Sequence, residues 1–260
     1  MGGGKESTPT ILARAGVENC VLRFDIRIPA GREPVTLDLA SVEGYIANPL
    51  TVGNQDLNPV TIAGITGDLG LVNKWGKTTY TFTRREAGEE VECPKGTEVF
   101  FSNVDEYRNY LHVIWLGAFD HSYETSLYLK WCKALLARQI SNTDRFIIIG
   151  PCSYGGSWSA SHAIMALDEV DASMTALYGD HYISLRSYLV NDGLTDADLT
   201  ATVMDKASIA RGSVPESLRT GSGTVELSSK AYELVGQLVY DRMNRLGYFQ
   251  EIRDELNIVE

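Results

Sequence analysis

Between Asn103 and Leu111 the hydrophobic pattern of this chain changes period, and that change constrains the fold more than any other feature. Before it, short runs alternate apolar and polar residues. Cys20-Val21-Leu22-Arg23-Phe24-Asp25-Ile26-Arg27-Ile28 sets Leu22, Phe24, Ile26 and Ile28 on one side and Arg23, Asp25 and Arg27 on the other. Period two is the mark of a half-buried strand in an antiparallel sheet. Further strand-like runs fall at 35–39, 59–65, 68–72, 78–84, 89–93 and 97–101, punctuated by Gly, Pro, Asn and Asp. Such spacing predicts a small sandwich or barrel.

After the change, the apolar runs are continuous and are separated by lengths suited to helices. Leu111–Leu116 ends at Gly117-Ala118-Phe119-Asp120, and Phe146–Ile149 and His181–Leu185 follow. Between them the pattern predicts helices over 123–139 and 162–178, with a last long helix over 228–246. Tyr123, Leu127, Trp131 and Leu135 make the apolar stripe of the first. Strands interleaved with helices imply a parallel sheet. Ligands in such sheets bind beyond the carboxyl ends of the strands, which places Gly117–Asp120 on the floor of a candidate site. Residues 1–17 and 104–260 then form one α/β domain, and 18–103 a β-rich insertion.

Charge and composition exclude several classes of function. The 260 residues carry a formal net charge of −11, which disfavours a nucleic-acid partner, because phosphate binding relies on clustered cations. No apolar run approaches the roughly 20 residues that span a bilayer, so no membrane partner is expected. Met1–Ser7 lacks an apolar signal region, and the expected location is the cytoplasm or a phage virion. The cysteines, Cys20, Cys93, Cys132 and Cys152, are scattered and read as free thiols. With four separated histidines, they suggest neither a metal site nor any other cofactor.

Two segments carry a resemblance to a known family. Tyr178-Gly179-Asp180-His181-Tyr182-Ile183-Ser184-Leu185-Arg186-Ser187-Tyr188-Leu189 and Gly212-Ser213-Val214-Pro215-Glu216-Ser217-Leu218-Arg219 resemble stretches of SGNH (GDSL-type) hydrolases, in a bacterial and phage-associated branch with a β-rich insertion. Tyr80–Arg84 with Gly88, and the start from Gly3 to Gly16, look similar to further blocks of that branch. The resemblance implies a flavodoxin-like, three-layer α/β domain of parallel strands that cleaves esters, often carbohydrate acetyl groups. A serine nucleophile would follow the first strand, a glycine and an asparagine would complete the oxyanion hole, and an Asp-x-x-His pair would supply the base.

Position by position, the implied site is altered. Gly4 fills the glycine role, but it is almost the first residue, so the first strand and its serine are expected to be lacking. Phe119 stands at the asparagine position, with Asp120 beside it. Gly223 and Glu226 stand where the Asp-x-x-His pair belongs. These replacements imply a catalytically degenerate protein that serves as a carbohydrate-binding or structural module, with a phage particle as one setting; the alternative is an esterase whose nucleophile strand is encoded upstream or whose catalytic residues are relocated.

Other residues are weighed by their chemistry. Asp120 and Glu226 suit a water-activating carboxylate pair or two solvated acids. His121 suits a replacement base or a capping residue. Ser153, Ser157, Ser159 and Ser161 lie in a Gly-Ser-rich loop without a nucleophile elbow. In the same loop Tyr154 and Trp158 offer aromatic faces to a sugar, whereas Trp115 reads as core. Loss of the first strand would leave one edge of strand 111–116 open, to be covered by the β-rich block, a second copy or another chain.

Overall fold

The computed structural model describes residues 7–42, 44, 47, 57–74, 77–101, 110–117, 125–138, 145–152, 160–221 and 226–256. The chain divides into two compact units, one of residues 1–110 with 137–141 and one of 111–136 with 142–260. The first 17 residues were expected beside 104–260; helix α1 (Thr8–Arg14) falls in the first unit, and Ala13 joins that unit's core.

In the first unit nine strands form in order among the described residues: β1 (Cys20–Leu22), β2 (Ile26–Ile28), β3 (Val35–Leu37), β4 (Leu39–Ala40), β5 (Val60–Ile62), β6 (Ile65–Lys74), β7 (Lys77–Arg84), β8 (Val91–Cys93) and β9 (Glu98–Phe101). Seven make one antiparallel sheet in the order β3-β7-β6-β5-β9-β1-β4, while β2 and β8 pair separately. The outermost strands β3 and β4 are consecutive in the chain, with Asp38 alone between them. The stretch 35–40 therefore pairs with β7 through one half and with β1 through the other. That connection draws the two edges together into a nearly closed barrel, which removes most of the unpaired edge an open sheet would show.

Alternation fills the barrel. In β9 Glu98 and Phe100 point outward while Val99 and Phe101 are buried, and the core also holds Leu22, Ile28, Leu37, Ile62, Tyr80 and Phe82. Each such side chain contributes about 1.5–3 kcal/mol through burial. Residues 20–28 do not form the single strand that their alternation predicts. The chain bends at 23–25, where the Arg23 N–H donates to Asp38 O and Asp25 accepts from the Lys95 N–H. Leu22 and Ile26 stay buried on either side of the bend, but Phe24 is left 42% exposed.

The second unit contains β10 (His112–Trp115), α2 (Thr125–Ala137), β11 (Phe146–Ile149), α3 (Ala160–Tyr178), β12 (Tyr182–Ile183), α4 (Leu185–Asn191), α5 (Gly193–Asp196), α6 (Val203–Ile209), α7 (Ser229–Arg245) and α8 (Gln250–Leu256). The strands are parallel in the order β10-β11-β12, with α2 and α3 as the crossovers. Central β11 is buried through Ile147, Ile148 and Ile149. β10 pairs on one side only among the described strands, and its Val113 is 46% exposed rather than enclosed on both faces.

The expected flavodoxin-like, three-layer α/β domain is overturned. The dominant sheet is antiparallel and nearly closed, and the parallel sheet has only three strands among the described residues. The reason is visible in the chain order. After β12 the described chain runs through α4 to α8 and adds no further strand to the parallel sheet, so the alternation that builds a wide parallel sheet stops early. The SGNH and GDSL description that presupposed that fold falls with it.

Candidate functional site

Most of the residues singled out in the sequence lie outside the described residues: Gly4, Phe119, Asp120, His121, Tyr154, Trp158 and Gly223. Glu226 is described and exposed. The Thr220 N–H donates to Glu226 O at 3.0 Å, Arg219 bridges antiparallel to Leu227, and the Ser228 N–H donates to Leu218 O at 2.9 Å. Ser228 then caps α7, its hydroxyl accepting from the Ala231 N–H at 3.3 Å. Glu226 is thereby held at the entrance to α7.

The first turn of α7 carries Tyr232, whose ring meets Trp115 at the end of β10 edge-on, with centroids 6.0 Å apart and planes at 63°. Burial pushes the Tyr232 phenol up from its ordinary value, and the nearby Cys152 and Glu226 add to the rise. Trp115, Cys152 just after β11, Tyr232 and Glu226 thus gather at the carboxyl ends of two parallel strands, the place such sheets reserve for ligands. The Trp115 indole Nε1 is buried and has no hydrogen-bond partner among the described residues. Such a donor is expensive to leave unpaired. Trp115 was read as core; it is half-buried, packing on the core with one side and meeting Tyr232 with its ring.

His112 and His181 stand at the other end of the sheet. His112 begins β10, and His181 stacks on Phe146, the first residue of β11, at 4.4 Å. The His181 Nδ1 lies 3.1 Å from Phe146 O and 2.9 Å from the Tyr248 hydroxyl, which accepts from the Phe146 N–H at 3.1 Å. Tyr248 reaches this point because α7 ends in a Schellman motif. Gly247, at φ 73°, donates to Asn244 O and Tyr248 donates to Met243 O.

The two segments that carry the resemblance form scaffolding beside the site. Arg186, on α4, is buried; it donates to Gly212 O at 2.9 Å, pairs with Asp168, and lies 3.6 Å from Asp171. Asp171 also accepts from the Tyr182 hydroxyl. A Cβ at Gly150 would fall 2.1 Å from that hydroxyl, so the approach requires glycine. Asp205, on α6, has no exposed surface and accepts four hydrogen bonds, from the Thr202 N–H and hydroxyl and the Ser217 N–H and hydroxyl, at 2.7–2.9 Å. Burial pushes its carboxyl up, but those donors prevail and hold it at about 2, against an ordinary 3.8.

Sequence reasoning missed Tyr232, Cys152 and the partnership of Trp115 with α7. The available signal was Tyr232 in the first turn of a helix that follows Glu226. All four cysteines are buried and none is in a disulfide, and burial raises Cys20 and Cys132 to about 12. Among the described residues no group of three His, Cys, Asp or Glu side chains is placed to hold a metal ion, and no helix is long and apolar enough to cross a membrane. The chain matches no family model, no curated protein and no solved structure.

Proposed function

We propose that this chain is a non-catalytic carbohydrate-binding module whose ligand seat is the carboxyl edge of β10 and β11. The observation that carries the reading is the half-exposed ring of Tyr232, braced by Trp115 and set beside the exposed carboxylate of Glu226. An aromatic face takes the apolar C–H side of a sugar ring, and an adjacent carboxylate accepts from its hydroxyls. A ring already fixed by a neighbour loses little freedom on binding. The net charge of −11 favours neutral sugars over acidic ones.

The test combines a glycan array with calorimetric titration of the best neutral ligand. Tyr232→Ala weakens binding at least about tenfold, equivalent to about 1.4 kcal/mol, and Glu226→Gln weakens it less. An esterase with relocated residues gives a different outcome. Turnover of p-nitrophenyl acetate by the purified chain, lost in Glu226→Gln, overturns the non-catalytic reading.

A further inference from the structure

We infer that the ligand is a neutral glycan chain several rings long, which leaves the seat at Tyr232 and runs along the exposed face of α7 to Tyr240. This rests on the carbohydrate reading above and extends it. Tyr232, Gly236 and Tyr240 are spaced four residues apart and share one helix face. The tyrosines are 51% and 50% exposed. At 1.5 Å per residue they stand about 12 Å apart, room for roughly two to three pyranose rings end to end.

Gly236 is the residue that folding alone does not explain. A glycine inside a helix costs about 0.5–1 kcal/mol relative to alanine, and a Cβ here would meet nothing within 4 Å. No packing neighbour demands it. Its effect is a notch between two aromatic rings, open to whatever lies along the face. Both rings are braced: Tyr232 by Trp115, and Tyr240 by Phe249, stacked at 5.6 Å and 26°. The adjoining face of α7, one residue earlier at each turn, is spent on the core through Ala231 and Val235.

A row of planar polar side chains borders the notch. Glu233, Gln237 and Asp241 are exposed one position along from the aromatic row, and Gln237 Nε2 donates to Asp241 Oδ1 at 2.8 Å. Carboxylates and amides at this spacing accept from successive sugar hydroxyls. Lys230 lies 3.5 Å from Glu233, and Arg245 is drawn to Asp180 at 3.6 Å, so the row is not cationic and suits an uncharged chain.

The full chain is titrated calorimetrically with neutral gluco-, xylo- and manno-oligosaccharides of two and of five rings, and with polygalacturonate. Circular dichroism melts confirm that each variant folds. For the preferred series, five rings bind at least tenfold tighter than two. Tyr240→Ala and Gly236→Leu each abolish that gain, and Tyr240→Ala leaves disaccharide affinity unchanged; Gly236→Leu fills the notch while favouring the helix. If both variants keep the gain, the path along α7 is wrong while the seat at Tyr232 stands. If no oligosaccharide of either length binds, the carbohydrate reading fails and the path with it. Tighter binding of polygalacturonate overturns the neutral ligand. A dimer that Tyr240→Ala dissolves, without glycan binding, assigns the face to a second copy.

Discussion

Replacing Asp205 by asparagine removes one charge from a site with no exposed surface and four donors. Oδ2 accepts from the Thr202 N–H at 2.9 Å, the Thr202 hydroxyl at 2.7 Å and the Ser217 hydroxyl at 2.8 Å, and Oδ1 accepts from the Ser217 N–H at 2.8 Å. Asparagine keeps one acceptor oxygen and sets an NH2 group in the other position. Hydroxyls can turn, but a backbone N–H cannot, so in either amide orientation one backbone donor faces another donor. An unpaired buried donor costs about 1–3 kcal/mol, and loss of charge weakens the remaining bonds.

The depressed carboxyl gives a second route to the magnitude. A carboxyl lowered from 3.8 to about 2 on folding supplies at most about 2.4 kcal/mol at neutral pH. Because the folded-state value is depressed, this stabilisation is present above about pH 4 and is lost as pH falls toward 2; about 1.1 kcal/mol is gone by pH 3. Together these give a cost for Asp205→Asn of about 2–3 kcal/mol at pH 7, a fall in melting temperature of about 4–12 °C. Urea denaturation of both proteins at pH 7, 5 and 3 measures it. The gap between them holds from pH 7 to 5 and shrinks by about 1 kcal/mol at pH 3. A gap that stays constant across that range, or a variant as stable as the parent, refutes the assignment of the charge to these four donors.

Three further substitutions test other joints. In the hairpin between β5 and β6, Ile62 pairs with Ile65 across Ala63 and Gly64, both at positive φ, the geometry of a type I′ turn. Ala63→Asn therefore stabilises by about 0.5–1 kcal/mol, seen as a higher urea midpoint; a lower midpoint contradicts the turn. Tyr248→Phe leaves the Phe146 N–H without its acceptor and costs about 1–3 kcal/mol, and hydrogen exchange at the Phe146 amide accelerates; unchanged protection contradicts it. Arg84 is buried and donates to the carbonyls of Pro29, Glu86 and Glu89. A lysine has one nitrogen where the guanidinium has a fork, so Arg84→Lys lowers stability by about 2–3 kcal/mol in thermal denaturation; a change below about 0.5 kcal/mol refutes that role.

Secondary structure in the second unit was largely legible. The run at 146–150 became β11 (Phe146–Ile149), and the helix read over 228–246 became α7 (Ser229–Arg245). Each is dictated by neighbours within one turn or one pleat: apolar period, a Ser cap at 228, a glycine stop at 247. Where local signals competed, periodicity misled. Phe24 had the parity of a core residue, but a bend at 23–25 broke the strand and put its ring in solvent. The carboxyl edge of the parallel strands is the candidate site by the same general rule that pointed there from the sequence, and its residues were less legible. Trp115 looked like ordinary core, and nothing in its own segment told that Tyr232, more than a hundred positions away, would meet it.

By itself, then, the sequence determined where chain texture changes and where most of the described strands and helices fall. Tertiary structure alone decided that stretch 35–40 joins the two edges of the antiparallel sheet, that the parallel sheet stops at three strands among the described residues, and that α7 brings Tyr232 against Trp115 of β10. The physical reason is the same in each case. Hydrophobic period records which side of a segment is buried, a local quantity, whereas strand pairing and helix docking depend on which distant segment does the burying.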